Sequence, residues 1–120
     1  MEDVPYAELH CRSNFSFLQG ASHPEQLVEQ AVTLGLQSLA LTDRNGLYGI
    51  VRFAQAARAL RLPTVFGAEL QCSVGEAVGD IVVIARNPRG YAHVSSAISA
   101  GQLAGSKDRP VFGIEHLAEF

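Results

Sequence analysis

With 120 residues, 48% of them apolar, and no Pro/Ser-rich tract, the chain is long enough to bury one hydrophobic core and does not read as a disordered tail. Nine Lys and Arg against twelve Asp and Glu give a formal net charge of -3, with the cations scattered singly, which argues against a grip on nucleic acid by this segment alone. Cys11 and Cys72 are far apart and form no CxxC pair, the acidic start Met1-Glu2-Asp3-Val4-Pro5 has no apolar core, and no run reaches the about 18 apolar residues of a membrane span, so a soluble, cytoplasmic, disulfide-free protein is expected.

Tyr6 to Cys11 reads as a first strand, followed by a loop, Ser13 to Ala21, that carries Phe15, Phe17 and Leu18. Ser22-His23-Pro24-Glu25 has the S-x-x-E form of a capping box, with Pro24 early enough to lose no needed donor. Leu27, Val28, Ala31, Val32 and Leu34 then recur on one helical face, and Gly35 supplies the stop. Ser38 to Thr42 is short and apolar, as a strand covered on both faces should be, and Asp43-Arg44-Asn45-Gly46 is expected to break it. A second helix is predicted from Leu47, with Ile50, Val51, Phe53, Ala54, Ala57 and Leu60 at helical spacing and Pro63 as its limit.

Thr64 to Glu69 is the third strand. Beyond it, Leu70–Val74 and Asp80–Ala85 flank a Gly75–Gly79 segment, a spacing that suits a hairpin. Asn87-Pro88 opens a helix containing Tyr91, Val94, Ile98 and Leu103, Val111-Phe112 is a short extended piece, and Ile114 to Phe120 begins another helix. Strand and helix alternating in this order imply right-handed βαβ units and a parallel sheet, with functional residues at the carboxyl ends of the strands. His10-Cys11-Arg12, Thr42-Asp43-Arg44 and Gly67-Ala68-Glu69 all occupy that position, so their polar side chains are expected to converge. His10 and Arg12, two apart in a strand, face one side while Leu9 and Cys11 pack behind.

The stretches His10–Leu18 with Gly20–Pro24, Ala40–Gly49 and Phe66–Leu70, continued by Ile84–Asn87 with Gly90-Tyr91 and by Ile114–Glu119, closely resemble the N-terminal PHP (polymerase and histidinol phosphatase) domain of bacterial C-family DNA polymerases, in the error-prone branch of the DNA polymerase III alpha subunit. The resemblance covers nearly the whole chain. It implies an α/β fold, part of a distorted (β/α)7 barrel, of which residues 1–120 are the N-terminal part: three βα units plus a β-hairpin and a helix. The parent would be a DNA-directed DNA polymerase, a Mg²⁺-dependent nucleotidyltransferase of DNA replication and repair. DNA would be bound through that parent only, the remainder of the polymerase chain would be the partner, and the fragment alone, with an open sheet edge, would self-associate.

Active PHP domains hold up to three metal ions, Zn²⁺ or Mn²⁺ among the candidates, and hydrolyse phosphoesters with metal-activated water. By the resemblance, His10 fills the first place of an H-x-H motif whose second His is replaced by Arg12. Asp43 stands in a T-D-H motif whose His is replaced by Arg44, and Glu69 fits the ligand place of G-x-E. Guanidinium groups stay protonated and cannot ligate, so His10, Asp43 and Glu69 are expected to form a degenerate metal site lined by the cations Arg12 and Arg44, with no metal bound by this segment. Plainer readings stand beside these. His10 can be a hydrogen-bonded strand-end group, Asp43 can cap the following helix, and Glu69 can be an ion-pair partner of Arg12 and Arg44. His23, His93 and His116 are expected at the surface, and Tyr91, Phe15 and Phe17 in the core. A free-standing metal-dependent phosphoesterase and a non-catalytic interaction module are the alternative functions.

Overall fold

The computed structural model describes residues 4–16, 19–105 and 112–113. β1 (Ala7–Cys11), α1 (Pro24–Leu34), β2 (Ser38–Arg44), α2 (Ile50–Leu60) and β3 (Thr64–Val74) alternate as the sequence predicts, and the three strands pair in parallel in chain order. β4 (Ala77–Ile84) folds back antiparallel on β3, α3 (Pro88–Ala104) follows, and β5 (Phe112–Gly113) pairs in parallel with β3 at Cys72 and Ser73. The expected helix over Ile114–Phe120, with His116, and the core assignment of Phe17 lie outside the described residues.

Register fixes which residues share a face. Leu41 lies opposite Phe66 and Asp43 opposite Ala68, and this face meets the helices. Val28, Ala31, Leu39, Leu41, Ile50, Phe53, Ala57 and Leu62 form one core between the sheet and α1 and α2, and Ala68, Leu70, Cys72, Val94, Ile98 and Phe112 form a second under α3. Removing the Phe53 ring from water alone contributes about 2–3 kcal/mol. Gly101 is required where α3 crosses β5, because a Cβ there would sit 2.2 Å from the Phe112 ring. Among the described residues no helix is long and apolar enough to cross a membrane.

Several boundaries differ from the sequence reading. The cap of α1 is His23, whose backbone N–H donates to Gln26 Oε1 at 2.7 Å; Glu25, expected in the box with Ser22, instead accepts from Arg52 Nε at 2.7 Å and ties α1 to α2. Asp43 and Arg44 remain inside β2, because β3 offers them partners as far as Glu69, and α2 therefore begins three residues later than Leu47, at Ile50. The hairpin connection is two residues, Gly75-Glu76, with Gly75 at φ 62°, so Gly79 is part of β4 opposite Cys72. The buried stripes of the helices are narrow: Val32, Leu34, Val51, Leu60 and Leu103 are exposed. Phe15 also lies at the surface, where the Arg52 guanidinium stands 5.6 Å from its ring centre, whereas Tyr91 packs against the first core beside Phe66.

Candidate functional site

The face of the sheet turned away from the helices carries a charged centre on β1, β2 and β3. Arg44 is in register with Glu69 across the β2–β3 ladder, which puts both on this open face. In β1 the register slips by one residue, from Glu8 opposite Leu39 to Cys11 opposite Leu41, and a bulge of this kind re-aims side chains at the end of a strand. Cys11 then packs on the core, and His10 and Arg12 reach Glu69. Leu9, expected behind them, is exposed.

Glu69 is the hub, with 1% of its surface accessible. Arg12 donates from Nε to Oε2 at 2.8 Å and from Nη2 to Oε1 at 2.6 Å, a two-bond grip that matches a planar fork to a carboxylate. His10 Nε2 lies 2.7 Å from Oε2, and because an ionised carboxylate only accepts, this nitrogen carries the proton. Arg44 Nη1 is more distant, 3.6 Å from Glu69 Oε1 and 3.4 Å from Asp80 Oδ1 on β4. Burial pushes the Glu69 carboxyl up, but the hydrogen bonds and charges of Arg12 and His10 outweigh it and leave the group below its ordinary value of 4.5. A depressed carboxylate contributes stability above its unfolded value and loses it as pH falls through the folded one. Urea unfolding of the native chain should therefore show stability falling below about pH 4.5, and Glu69→Gln should flatten that part of the profile.

Asp43 belongs elsewhere. Alternation along β2 turns it to the helical side, away from Glu69, and it is 1% exposed. Ser13 donates from its backbone N–H to Oδ1 at 2.7 Å and from Oγ to Oδ2 at 2.7 Å, and Ser16 Oγ donates to Oδ1 at 2.8 Å. Ser16 Oγ in turn accepts from the Arg44 N–H at 3.0 Å, so the loop after β1 is fastened to the end of β2. Asp43 does not cap α2, whose N-cap is Gly49 with no side-chain cap bond. Asn45 extends the β2–β3 join: its N–H donates to the Glu69 carbonyl at 2.7 Å and its Oδ1 accepts from the Gln71 N–H at 3.0 Å, with φ at 54°. The Cys11 thiol is pushed up to about 11 by burial, with Glu8 and Asp43 adding to the rise, and stays protonated at neutral pH. His23 and His93 are exposed.

Of the five expected site residues, His10, Arg12, Arg44 and Glu69 meet, and Asp43 stands apart. Ser13, Ser16 and Asp80 were not singled out in the sequence. Ser13 and Ser16 do carry a local signal, a turn-forming pair three residues apart, with the Ser16 N–H bonded to the Ser13 carbonyl at 3.0 Å.

The model of the PHP domain family matches residues 8–120. The chain belongs to the PHP domain family. Its relatives include the error-prone DNA polymerase of Cutibacterium acnes, 51% identical over 97% of this chain and 11% of that protein, and that of Mycolicibacterium paratuberculosis, 49% identical over the same shares. The error-prone DNA polymerase of Nocardia farcinica is 63% identical over 59% of the chain and 6% of its own length. The PHP chain thus spans about a tenth of the first two relatives and less of the third. Among solved structures, a protein assigned as a metal-dependent phosphoesterase from Bifidobacterium adolescentis superposes with a TM-score of 0.68 and 26% identity over 85% of this chain and 35% of its own. An amidohydrolase from Chromobacterium violaceum, with sulfate and no metal, gives 0.66 and 28% over 82% and 32%. The sheet is accordingly a curled half-barrel of the PHP type.

One of these neighbours being described as a metal-dependent phosphoesterase, the donor set of this chain can be tested for fit. Among the described residues, no three His, Cys, Asp or Glu side chains are grouped as metal ligands. Both Glu69 oxygens are bonded by Arg12, both Asp43 oxygens accept from the serines, and Arg12 and Arg44 offer no lone pair. As the described residues are arranged, these carboxylate oxygens are engaged by the arginine and the serines.

Proposed function

We propose that this chain is the N-terminal PHP segment of an error-prone DNA polymerase and that its role is structural, with the family's metal-ligand positions converted into a salt-bridged junction of three strands. The grip of Arg12 on buried Glu69 carries this reading: a guanidinium fills the place where a cation would otherwise neutralise that carboxylate. The polymerase relatives, similar along 97% of this chain and about nine times longer, support its being one part of such a polypeptide. Template-directed nucleotidyl transfer, its Mg²⁺ and the main DNA contacts then belong to the remainder of the polymerase, which is the partner of this segment. The phosphoesterase alternative draws on a solved neighbour and requires a metal, to which the guanidinium groups of Arg12 and Arg44 offer no lone pair.

Metal content after purification separates the two. The native chain should carry no stoichiometric Zn²⁺ or Mn²⁺, show no change in Tm with EDTA, and leave an aryl phosphate intact with either ion added. Arg12→His with Arg44→His puts two further imidazoles beside His10 and Glu69. That variant should bind Zn²⁺ or Mn²⁺ stoichiometrically, with a Tm that rises on loading and falls with EDTA. Stoichiometric metal in the native protein, together with metal-dependent phosphatase activity, would overturn the structural reading.

A further inference from the structure

The cations stand singly in the sequence, but the fold gathers several of them. Residues 45–68 and 81–105 together carry Arg52, Arg58, Arg61, Arg86 and Arg89 and no Asp or Glu, in a chain whose formal net charge is -3. The first stretch holds α2 and the start of β3, the second the end of β4 and α3, and the sheet brings them together: the Ala85 N–H donates to the Phe66 carbonyl at 2.7 Å, beside the Gly67–Ile84 pair. Arg52 turns to α1, where it meets Glu25 at 2.7 Å. Arg58, Arg61, Arg86 and Arg89 are exposed and make no ion pair among the described residues.

Between α2 and the first turn of α3 lies a cavity of about 510 Å³, the size of a ligand pocket. Ile50, Val51 and Ala54 of α2 line it together with Phe66 and Tyr91, and Arg86 is the one charged residue of its lining. Arg58 follows Ala54 by four residues on α2, so it lies on the same helix face and extends that wall with a second cation. Arg61 and Arg89 each stand three residues beyond one of these two and add to the positive field. Val51 is 66% exposed, so the apolar wall opens to solvent. The cavity is on the helical side of the sheet and shares no residue with the centre around Glu69.

We propose that this cleft docks an acidic segment of a partner protein, which seats an aromatic or aliphatic side chain against Val51, Ala54 and Phe66 while its carboxylates are held by Arg58 and Arg86. Charge complementarity selects the acidic partner: arginines without a carboxylate of their own repel a basic segment and grip carboxylates with two parallel bonds. The apolar lining selects a side-chain anchor, because a pocket that is desolvated on filling, beneath a polar rim, is where binding energy concentrates. A nucleic acid meets the first condition and not the second. Phe66 and Tyr91 are half-buried and packed edge to face, with ring centres 6.0 Å apart, and do not stand out as a platform on which bases stack. The inference does not rest on the polymerase reading.

The probe is a short synthetic peptide of Asp and Glu with one Phe and one Leu, titrated by fluorescence anisotropy and mapped by NMR amide shifts on the whole chain. It should bind saturably, with the shifts at residues 50–55, 64–66 and 85–91. Arg58→Glu with Arg86→Glu should weaken binding about tenfold, and so should replacing the Phe and Leu of the peptide by Ser. Val51→Asp, at an exposed position outside the arginine rim, should do the same with the Tm unchanged. Absence of saturable binding, shifts confined to other surfaces, or equal affinity for the Ser-substituted peptide overturns the inference. Tighter binding of a single-stranded oligonucleotide at the same amides assigns the cleft to nucleic acid and also overturns it. So does a peptide that binds this chain but not a polymerase-length protein, since the cleft is then covered by its own polypeptide. None of these failures touches the polymerase reading.

Discussion

Arg12→Ala is expected to destabilise the fold by about 3 kcal/mol, and Arg44→Ala by less than about 1 kcal/mol. Both lose an arginine that faces the same carboxylate, and the difference lies in what remains. Without Arg12, Glu69 keeps His10 at 2.7 Å and an ion pair at 3.6 Å, but two close charge-assisted bonds to a group 1% exposed are gone. Arg12 is itself 31% exposed, which holds the effect at the lower end of the range for a broken buried pair. Arg44 is held at 3.4 and 3.6 Å between two carboxylates, and its loss strips Glu69 of no hydrogen bond. In urea titrations the first variant should lower the midpoint sharply with m unchanged, and the second barely move it. Arg12→Lys, which keeps the charge but not the fork, should fall between them. Adding Glu69→Met to Arg12→Ala should recover part of the loss, because the cost is that of a buried charge left short of partners; equal effects at Arg12 and Arg44 would refute this account.

How much of this site was legible in the sequence depends on which physical effect sets each part. The alternation of strands and helices follows from local patterning, and Gly35, at φ 71°, closes α1 as read. Strand ends were misplaced because they are set by a neighbour: β2 continues through Asp43 and Arg44 since β3 pairs them, which no local signal at Asp43-Arg44-Asn45-Gly46 reveals. That extension decides the site. The motif places Asp43 and Arg44 side by side at a strand end, but within a continuing strand adjacent residues face opposite ways, so one joins Glu69 and the other leaves it. The bulge in β1 is equally non-local, being a slip of one strand against its partner. The meeting of His10, Arg12, Arg44 and Glu69 was legible because strand-end positions in consecutive βα units are brought to the same end of a parallel sheet.

Asp43→Ala should be as damaging as Arg12→Ala, by about 3 kcal/mol, and for a reason unrelated to the charged face. The carboxylate is enclosed on the helical side and accepts three hydrogen bonds, from the Ser13 N–H, Ser13 Oγ and Ser16 Oγ. Alanine removes the acceptor and leaves the donors of two buried serines without a partner, each paying the cost of a desolvated polar group. Asp43→Asn retains one oxygen but turns an NH₂ toward a position held by donors, so about half of the loss should remain. Ser13→Ala and Ser16→Ala each remove one hydroxyl and should cost about 1 kcal/mol, less than the aspartate because the remaining donors still satisfy the carboxylate. The damage should also spread to the loop. Ser16 Oγ accepts the Arg44 N–H, and Ser13 directly follows Arg12, so in Asp43→Ala the amides of Ser13, Ser16 and Arg44 should lose exchange protection before those of the β2–β3 ladder.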